Sequence, residues 1–332
     1  MDTMQRPLRD LRISVTDRCN YRCRYCMPAE VFGEDYPYLP KPEILSHEEI
    51  ARIARIFCGL GVEKLRLTGG EPLLRRGLVD LVRMLADIPG KHDLAMTTNG
   101  SALARHAKKL KAAGLERVTI SMDALDPETF LRMNGSGASP GRVIEGIDAA
   151  LEHGLKVKIN SVIQRGVNED QIVALATFGR KRGITMRFIE YMDTGNTNGW
   201  KLGEVVPYTE MLDALQQHYS LEAIKPNYVG ETARRFGYRD LPGQEVGFIS
   251  SVSKPFCGDC NRARLSSDGQ LFTCLFAQHG HDLKTALRDG AEDDQLAHMI
   301  ASIWGGRGDR YSELRSENKG AKPKPEMSYI GG

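Results

Sequence analysis

The sequence predicts an α/β fold in which six βα units build a parallel sheet. Three observations carry this expectation. Strand-like apolar runs occur at residues 11–16, 64–68, 93–98, 117–122, 157–163 and 185–192, helix-like stretches lie between them, and capping residues stand where those helices should begin. Alternating β and α elements favour parallel pairing. The helix starts are read from Ser46 with Glu49, a capping-box pair, from Asp126 before Pro127, and from Asn168 with Gln171 at the capping-box offset. If the sheet curls into a partial barrel, groups at the carboxyl ends of its strands form one mouth. The loop after the first strand lies at that mouth.

This loop holds Cys19, Cys23 and Cys26, and six of the seven cysteines fall into two such triplets, the other being Cys257, Cys260 and Cys274. Each triplet is one thiolate short of closing a four-ligand site, which suggests a metal position kept open for an exogenous ligand. The C-x3-C-x2-C spacing of the first lets a short loop wrap a cubane cluster, three thiolates reaching three irons. Zinc competes, but its usual close pair with a distant pair is missing here. The second triplet is ambiguous by spacing: His279 and His281 follow it, so a Cys3His zinc knuckle reads as well as an open cluster. Arg262 and Arg264, inside that segment, favour an anionic ligand beside the metal.

A linker is expected around Lys225-Pro226-Asn227, where helical periodicity weakens and short strand-like pieces such as 246–252 take over, dividing the chain into residues 1–228 and 229–332. The second strand ends in Thr68-Gly69-Gly70-Glu71-Pro72, with two glycines where backbone must approach something closely. Arg12, Arg66, Lys158 and Arg187 lie in or at the ends of strands, where half-buried positions are normally apolar. Cations there need partners: either structural salt bridges, or one polyanion bound in common, most simply a triphosphate.

These motifs resemble a known family. C-x3-C-x2-C with an aromatic residue, Tyr25, just before its third cysteine is similar to the signature of radical S-adenosylmethionine (SAM) enzymes, and Gly69-Gly70-Glu71-Pro72 resembles their GGEP motif. With the strand-end cations, the C-x2-C-x-R-x-R segment and the terminal Gly331-Gly332, the sequence from about Arg6 onward resembles the GTP 3′,8-cyclase (MoaA) family, which begins molybdenum cofactor biosynthesis. The resemblance implies an incomplete (β/α)6 TIM-type barrel with a smaller carboxyl-terminal iron-sulfur domain over its mouth. It implies two 4Fe–4S clusters, the first open to SAM and the second to the guanine of GTP.

The same resemblance assigns Tyr25, Gly70, Ser121 and Met192 to SAM, and Arg12, Arg66, Thr97, Lys158, Arg262, Ala263 and Arg264 to GTP. Arg187 is implied as a catalytic-site cation, Lys64 as a lesser one, and Gly331 and Gly332 as a tail inserted into the active site. In that family a 5′-deoxyadenosyl radical takes the ribose 3′ hydrogen and the C3′ radical attacks guanine C8, giving (8S)-3′,8-cyclo-7,8-dihydroguanosine 5′-triphosphate. An external one-electron donor feeds the reaction, and the product passes to cyclic pyranopterin monophosphate synthase. Two rival classes are another radical SAM enzyme with an auxiliary cluster, such as a peptide-modifying maturase, and a non-enzymatic iron-sulfur or zinc protein.

Composition bounds the rest. The 332 residues suffice for one large and one smaller domain, and 41% hydrophobic content supports a sizeable core. A net charge of +2 argues against nucleic-acid binding as the main role, and no run approaches a membrane span. Met1-Asp2-Thr3-Met4 lacks signal-peptide features, so the cysteines suggest reducing cytoplasm and metal sites, in a monomer or homodimer. Cys58 reads as a core residue, on the apolar side of the 46–60 helix with Ile50, Ile53 and Phe57.

Overall fold

Six strands, β1 (Asp10–Ser14), β2 (Lys64–Thr68), β3 (Asp93–Thr98), β4 (Arg117–Ser121), β5 (Lys156–Ile163) and β6 (Thr185–Glu190), pair in parallel and in chain order. The computed structural model describes residues 1–315 and 323–331. Between the strands run α1 (His47–Gly59), α2 (Leu78–Ala86), α3 (Ala107–Ala112), α4 (Pro127–Asn134), α5 (Pro140–Glu152) and α6 (Ile172–Arg182), and α7 (Tyr208–Gln216) follows β6. The remaining strands are β7 (Leu221–Ile224), β8 (Arg234–Tyr238), β9 (Glu245–Ile249), β10 (Arg262–Leu265), β11 (Gln270–Phe272) and β12 (His281–Asp282). Three more helices complete the described chain: α8 (Lys284–Arg288), α9 (Asp293–Gly305) and α10 (Met327–Ile330).

The later strands extend the sheet at both sides. β9 joins β6 in parallel and β10 joins β1 in parallel, while β7, β8, β11 and β12 continue outward as antiparallel ribbons. β12 and β7 are the two edges, so the barrel is incomplete.

Side-chain parity explains what each face does. Leu11 and Ile13, Leu65 and Leu67, Val118 and Ile120, and Met186 and Phe188 are buried against the helices. Each such side chain contributes roughly 1.5–3 kcal/mol, and a one-residue slip would turn all of them inward. Register is therefore strongly fixed. The opposite parity, carrying Arg12, Arg66, Thr119, Lys158 and Arg187, faces the barrel interior.

Two of the three expected helix starts form as read. Ser46 Oγ accepts from Glu49 N at 3.1 Å while Glu49 Oε2 accepts from Ser46 N at 2.7 Å, and Asp126 accepts from Thr129 N at 2.8 Å. Asn168 caps no helix: a 3-10 turn over Glu169–Gln171 intervenes, and α6 starts at Ile172. Its amide instead donates to Asp123 O at 2.8 Å and Val162 O at 2.9 Å, tying the loop after β5 to the end of β4. β1 and β6 stop two residues short of expectation because their last residues leave the ladder for site loops: Thr16 O accepts from Gly70 N at 2.8 Å, and Met192 O from Asn198 Nδ2 at 3.0 Å. Cys58 is half-buried at the margin of the core. Among the described residues no helix is long and apolar enough to cross a membrane.

Candidate active site

A cavity of about 290 Å³ runs through the barrel interior from Asp10 and Lys64 at the amino ends of the strands to Thr68 and Ser121 at the carboxyl ends. All six triplet cysteines line it, the first triplet at the carboxyl ends and Cys257 and Cys260 on the amino-end side, just before β10. None of them is in a disulfide. Gly69 and Gly70 set the first triplet in place. A Cβ on Gly69, whose φ is +136°, would stand 2.4 Å from Thr16 O, and one on Gly70 would stand 2.2 Å from Arg18 O and 3.1 Å from Cys19 N. The close approach foreseen for these glycines is thus to the cysteine loop itself. Glu71 secures the turn, accepting from Leu73 N at 3.0 Å, Asn99 N at 2.7 Å and the Thr98 hydroxyl at 2.7 Å. Burial pushes this carboxyl up to about 7.

One cysteine of the second triplet, Cys260, sits in electrostatic surroundings opposite to those of its neighbours. Burial, then Glu71, push the Cys19 thiol up to about 11, and burial raises Cys23 and Cys26 as well. Cys274 is pushed by burial to about 12. Cys260 is also desolvated, yet Arg262 and Arg307 beside it overcome that and lower it to about 6. Arg262 Nη2 lies 3.3 Å from Cys260 Sγ. Three thiols with an open side fit a cubane with one free iron at each triplet, and the guanidiniums beside the second suit an anionic ligand there. Among the described residues no three His, Cys, Asp or Glu side chains gather as a single ion requires.

Sheet register sorts the buried charges into two rows. One row runs Arg262, Asp10, Lys64, Asp93 across neighbouring strands, alternating in sign. Lys64 Nζ lies 3.4 Å from Asp10 and 3.8 Å from Asp93. Two residues nearer the mouth, the next row runs Arg264, Arg12, Arg66, three cations side by side with no acid between them. Arg12 Nε, Arg66 Nε, Arg264 Nη1 and Arg187 Nε are buried with no hydrogen-bond partner among the described residues. Burial, then Arg264, hold the Arg12 guanidinium well below the usual arginine range. A guanidinium stays charged under such pressure, so the row demands an anion.

The expected site residues distribute as follows. Tyr25, Gly70, Ser121, Met192, Arg12, Arg66, Thr97, Arg187, Arg262, Arg264 and the lesser candidate Lys64 all line the cavity. Tyr25 donates its hydroxyl to Asp123 at 2.8 Å, and Arg66 Nη1 donates to Thr97 at 3.0 Å and Thr119 at 3.1 Å. Lys158 lies on the interior face below Asn160 and Val162, which do line the cavity; it does not. The Ala263 side chain, flanked by two inward arginines, points by strand alternation into the apolar layer instead. Gly331 sits with φ +76° against Thr68, where a Cβ would stand 2.4 Å from Thr68 Cγ2. Gly332 lies outside the described residues.

Sequence reasoning missed several participants. Asn99 Nδ2 reaches Cys19 Sγ at 3.8 Å, and Asp123, Tyr228 and Arg307 line the cavity. Asn99 and Asp123 follow immediately on strands β3 and two residues after β4, so position at a strand's carboxyl end was the available signal. Arg307 carried none.

Comparison with known proteins agrees with this architecture. The radical SAM superfamily matches residues 13–179, and the family described as Molybdenum Cofactor Synthesis C matches residues 184–313. The GTP 3′,8-cyclase of Acidothermus cellulolyticus is 51% identical, the match covering 100% of this chain and 98% of that one. That of Staphylococcus haemolyticus is 48% identical with the same coverage. Among solved structures, Streptococcus suis SuiB bound to S-adenosylmethionine is similar in fold, with a TM-score of 0.60 at 17% identity over 98% of this chain and 76% of that one. The chain therefore belongs to the GTP 3′,8-cyclase family of radical SAM enzymes.

Proposed function

We propose that this chain converts GTP to (8S)-3′,8-cyclo-7,8-dihydroguanosine 5′-triphosphate, the first step of molybdenum cofactor biosynthesis. The observation that carries the reading is the arginine row Arg264, Arg12, Arg66, with no acid in its register, lying between two cysteine triplets in one cavity. When bound, two 4Fe–4S clusters and SAM supply the one-electron and radical chemistry; Cys19, Cys23 and Cys26 hold the first cluster, and Cys257, Cys260 and Cys274 the second. The chain's own residues bind, orient and exclude water. Arg12, Arg66, Arg264 and Arg187, with Lys158 and Lys64 behind them, fix the triphosphate and so the position of the ribose. Arg262, at the end of the row of paired charges and beside the Cys260 sulfur, orients the nucleotide toward the second cluster. Thr97 is held toward the nucleotide by Arg66, and Ala263 contributes only main chain.

Tyr25, Gly70, Ser121 and Met192 form the SAM side, and Gly331, beside Thr68, closes the site, with Gly332 assigned the same role from the resemblance alone. Residues 1–228 serve as the SAM scaffold and 229–332 as the substrate region. The enzyme works in the cytoplasm as a monomer or homodimer, takes single electrons from an external donor and passes its product to cyclic pyranopterin monophosphate synthase. Anaerobic incubation of the reconstituted protein with SAM, reductant and GTP tests the reading: 5′-deoxyadenosine and the cyclised nucleotide should appear together. Cleavage of SAM that is indifferent to GTP would refute it and favour a peptide-modifying relative.

A further inference from the structure

The first residues of the sequence are bound into the surroundings of the last three cysteines. Arg6, only 2% exposed, donates from Nη1 to the carbonyl of Cys257 at 2.8 Å and to that of Asp309 at 2.8 Å. Arg307, equally buried, donates from Nη1 to the carbonyl of Cys260 at 2.7 Å. Asp2 lies between the two guanidiniums, 2.5 Å from Arg6 Nε and 3.4 Å from Arg307 Nη1. Asp309 continues the chain: its Oδ2 lies 3.2 Å from Arg307 Nε and accepts from the hydroxyl of Thr273, the neighbour of Cys274, at 2.6 Å. One buried network thus reaches all three cysteines, although they come from two separate loops.

The network is balanced, two arginines against two aspartates, so it offers little as an anion site. Nor is it an efficient source of stability, since ions buried together recover at best their desolvation and an apolar substitute often does as well. What it supplies is direction. A guanidinium that grips a carbonyl holds that residue's backbone, and with it the Cα–Cβ bond from which the sulfur projects. Local backbone supports this: Gln5, between the two anchors, has φ +62°, the one positive value outside glycine among the described residues. Such a conformation persists where its surroundings overdetermine it.

We propose that Asp2, Arg6, Arg307 and Asp309 are positioning residues for the carboxyl-terminal triplet, so that contacts of the first six residues decide whether the second cluster assembles. The proposal rests on that triplet holding a cluster. The test reconstitutes full-length Asp2→Asn and Arg6→Lys anaerobically, then measures iron and sulfide per chain, the electron paramagnetic resonance of the reduced protein, and the melting of the unloaded chain. Both variants should fall toward half the wild-type iron, keep the signal that changes on adding SAM, and lose the one that changes on adding GTP. Full iron in both variants overturns the proposal. So does joint loss of the two clusters or an unfolded chain, which would make the network a general stabiliser. If wild type itself held only half the iron, the cluster reading of the second triplet would fail instead.

Discussion

Replacing Arg12 by methionine should move two quantities in opposite directions. Arg12 stands between Arg264 and Arg66 in register, with no acid in its row. Adjacent strands are about 4.8 Å apart, and two unit charges 5–8 Å apart at an effective dielectric near 20 repel by about 2–3 kcal/mol. Methionine keeps the length of the side chain while removing that repulsion and an unpartnered Nε. With an unfolding entropy of about 2.1 cal/mol/K per residue, relief of 2 kcal/mol corresponds to a rise of roughly 3 °C in the melting temperature of the nucleotide-free protein. GTP affinity should fall about tenfold to a hundredfold, the loss of one charge-assisted contact of roughly 1.5–3 kcal/mol. Scanning fluorimetry without nucleotide and calorimetric titration with GTP read the two effects separately. A variant less stable than wild type yet unchanged in GTP affinity would mean that Arg12 is a structural cation, and the argument from the row would collapse.

Three further outcomes are expected. Gly70→Ala puts a Cβ 2.2 Å from Arg18 O, so the cysteine loop must shift; iron at the first triplet and SAM cleavage should both drop, and normal reconstitution would disprove the loop-packing role. Gly331→Ala strains a φ of +76° and meets Thr68 Cγ2 at 2.4 Å, so cyclisation should be lost while iron content stays at wild type; an active variant would show that the tail's seat is incidental. Burial pushes Lys64 down to about 7 despite Asp10, and Lys158 to about 8, so both lose charge as pH rises through those values. A bound polyanion raises both again, which means GTP binding takes up protons and its affinity weakens as pH rises through about 7 and about 8. Titrations in buffers of different ionisation heat measure the uptake, and a pH-independent affinity would count against both lysines facing the ligand's field.

How much was legible in the sequence follows from the range of the interactions. Six parallel strands were legible because their apolar alternation is local, as in Leu65 and Leu67 around Arg66. The same alternation displayed the interior cations, and applied to Ala263, between Arg262 and Arg264, it would have turned that side chain the other way, where the resemblance alone had assigned it to GTP. Register was not legible. Nothing in the sequence says that Lys64 meets Asp10 and Asp93 while Arg12, two residues after Asp10, meets Arg66 and Arg264. Asn168 misled for a related reason: a capping residue is recognised by local offset, but its amide is engaged by Asp123 O, 45 residues away. Arg6 and Arg307 lay furthest from view, since Arg6 grips Cys257 across 251 residues and neither arginine belongs to a motif.

The two charge rows also indicate why the later part of the chain enters the sheet as a parallel neighbour of β1. Three adjacent arginines are costly in a free protein, and a fold that only needed stability would alternate them with acids, as the row of Arg262, Asp10, Lys64 and Asp93 does one step deeper. The deeper row shows that this sheet can neutralise its own cations; the row nearer the mouth is left unbalanced beside the cavity. β10 builds both at once, because Arg262 joins the neutral row and Arg264 the cationic one, while Cys260 stands two residues before the strand. A single strand pairing thereby fixes the distance between the second triplet and the cations proposed to hold the triphosphate. A rigid-body shift of the carboxyl-terminal region would have to break the β1–β10 ladder before it could separate the two.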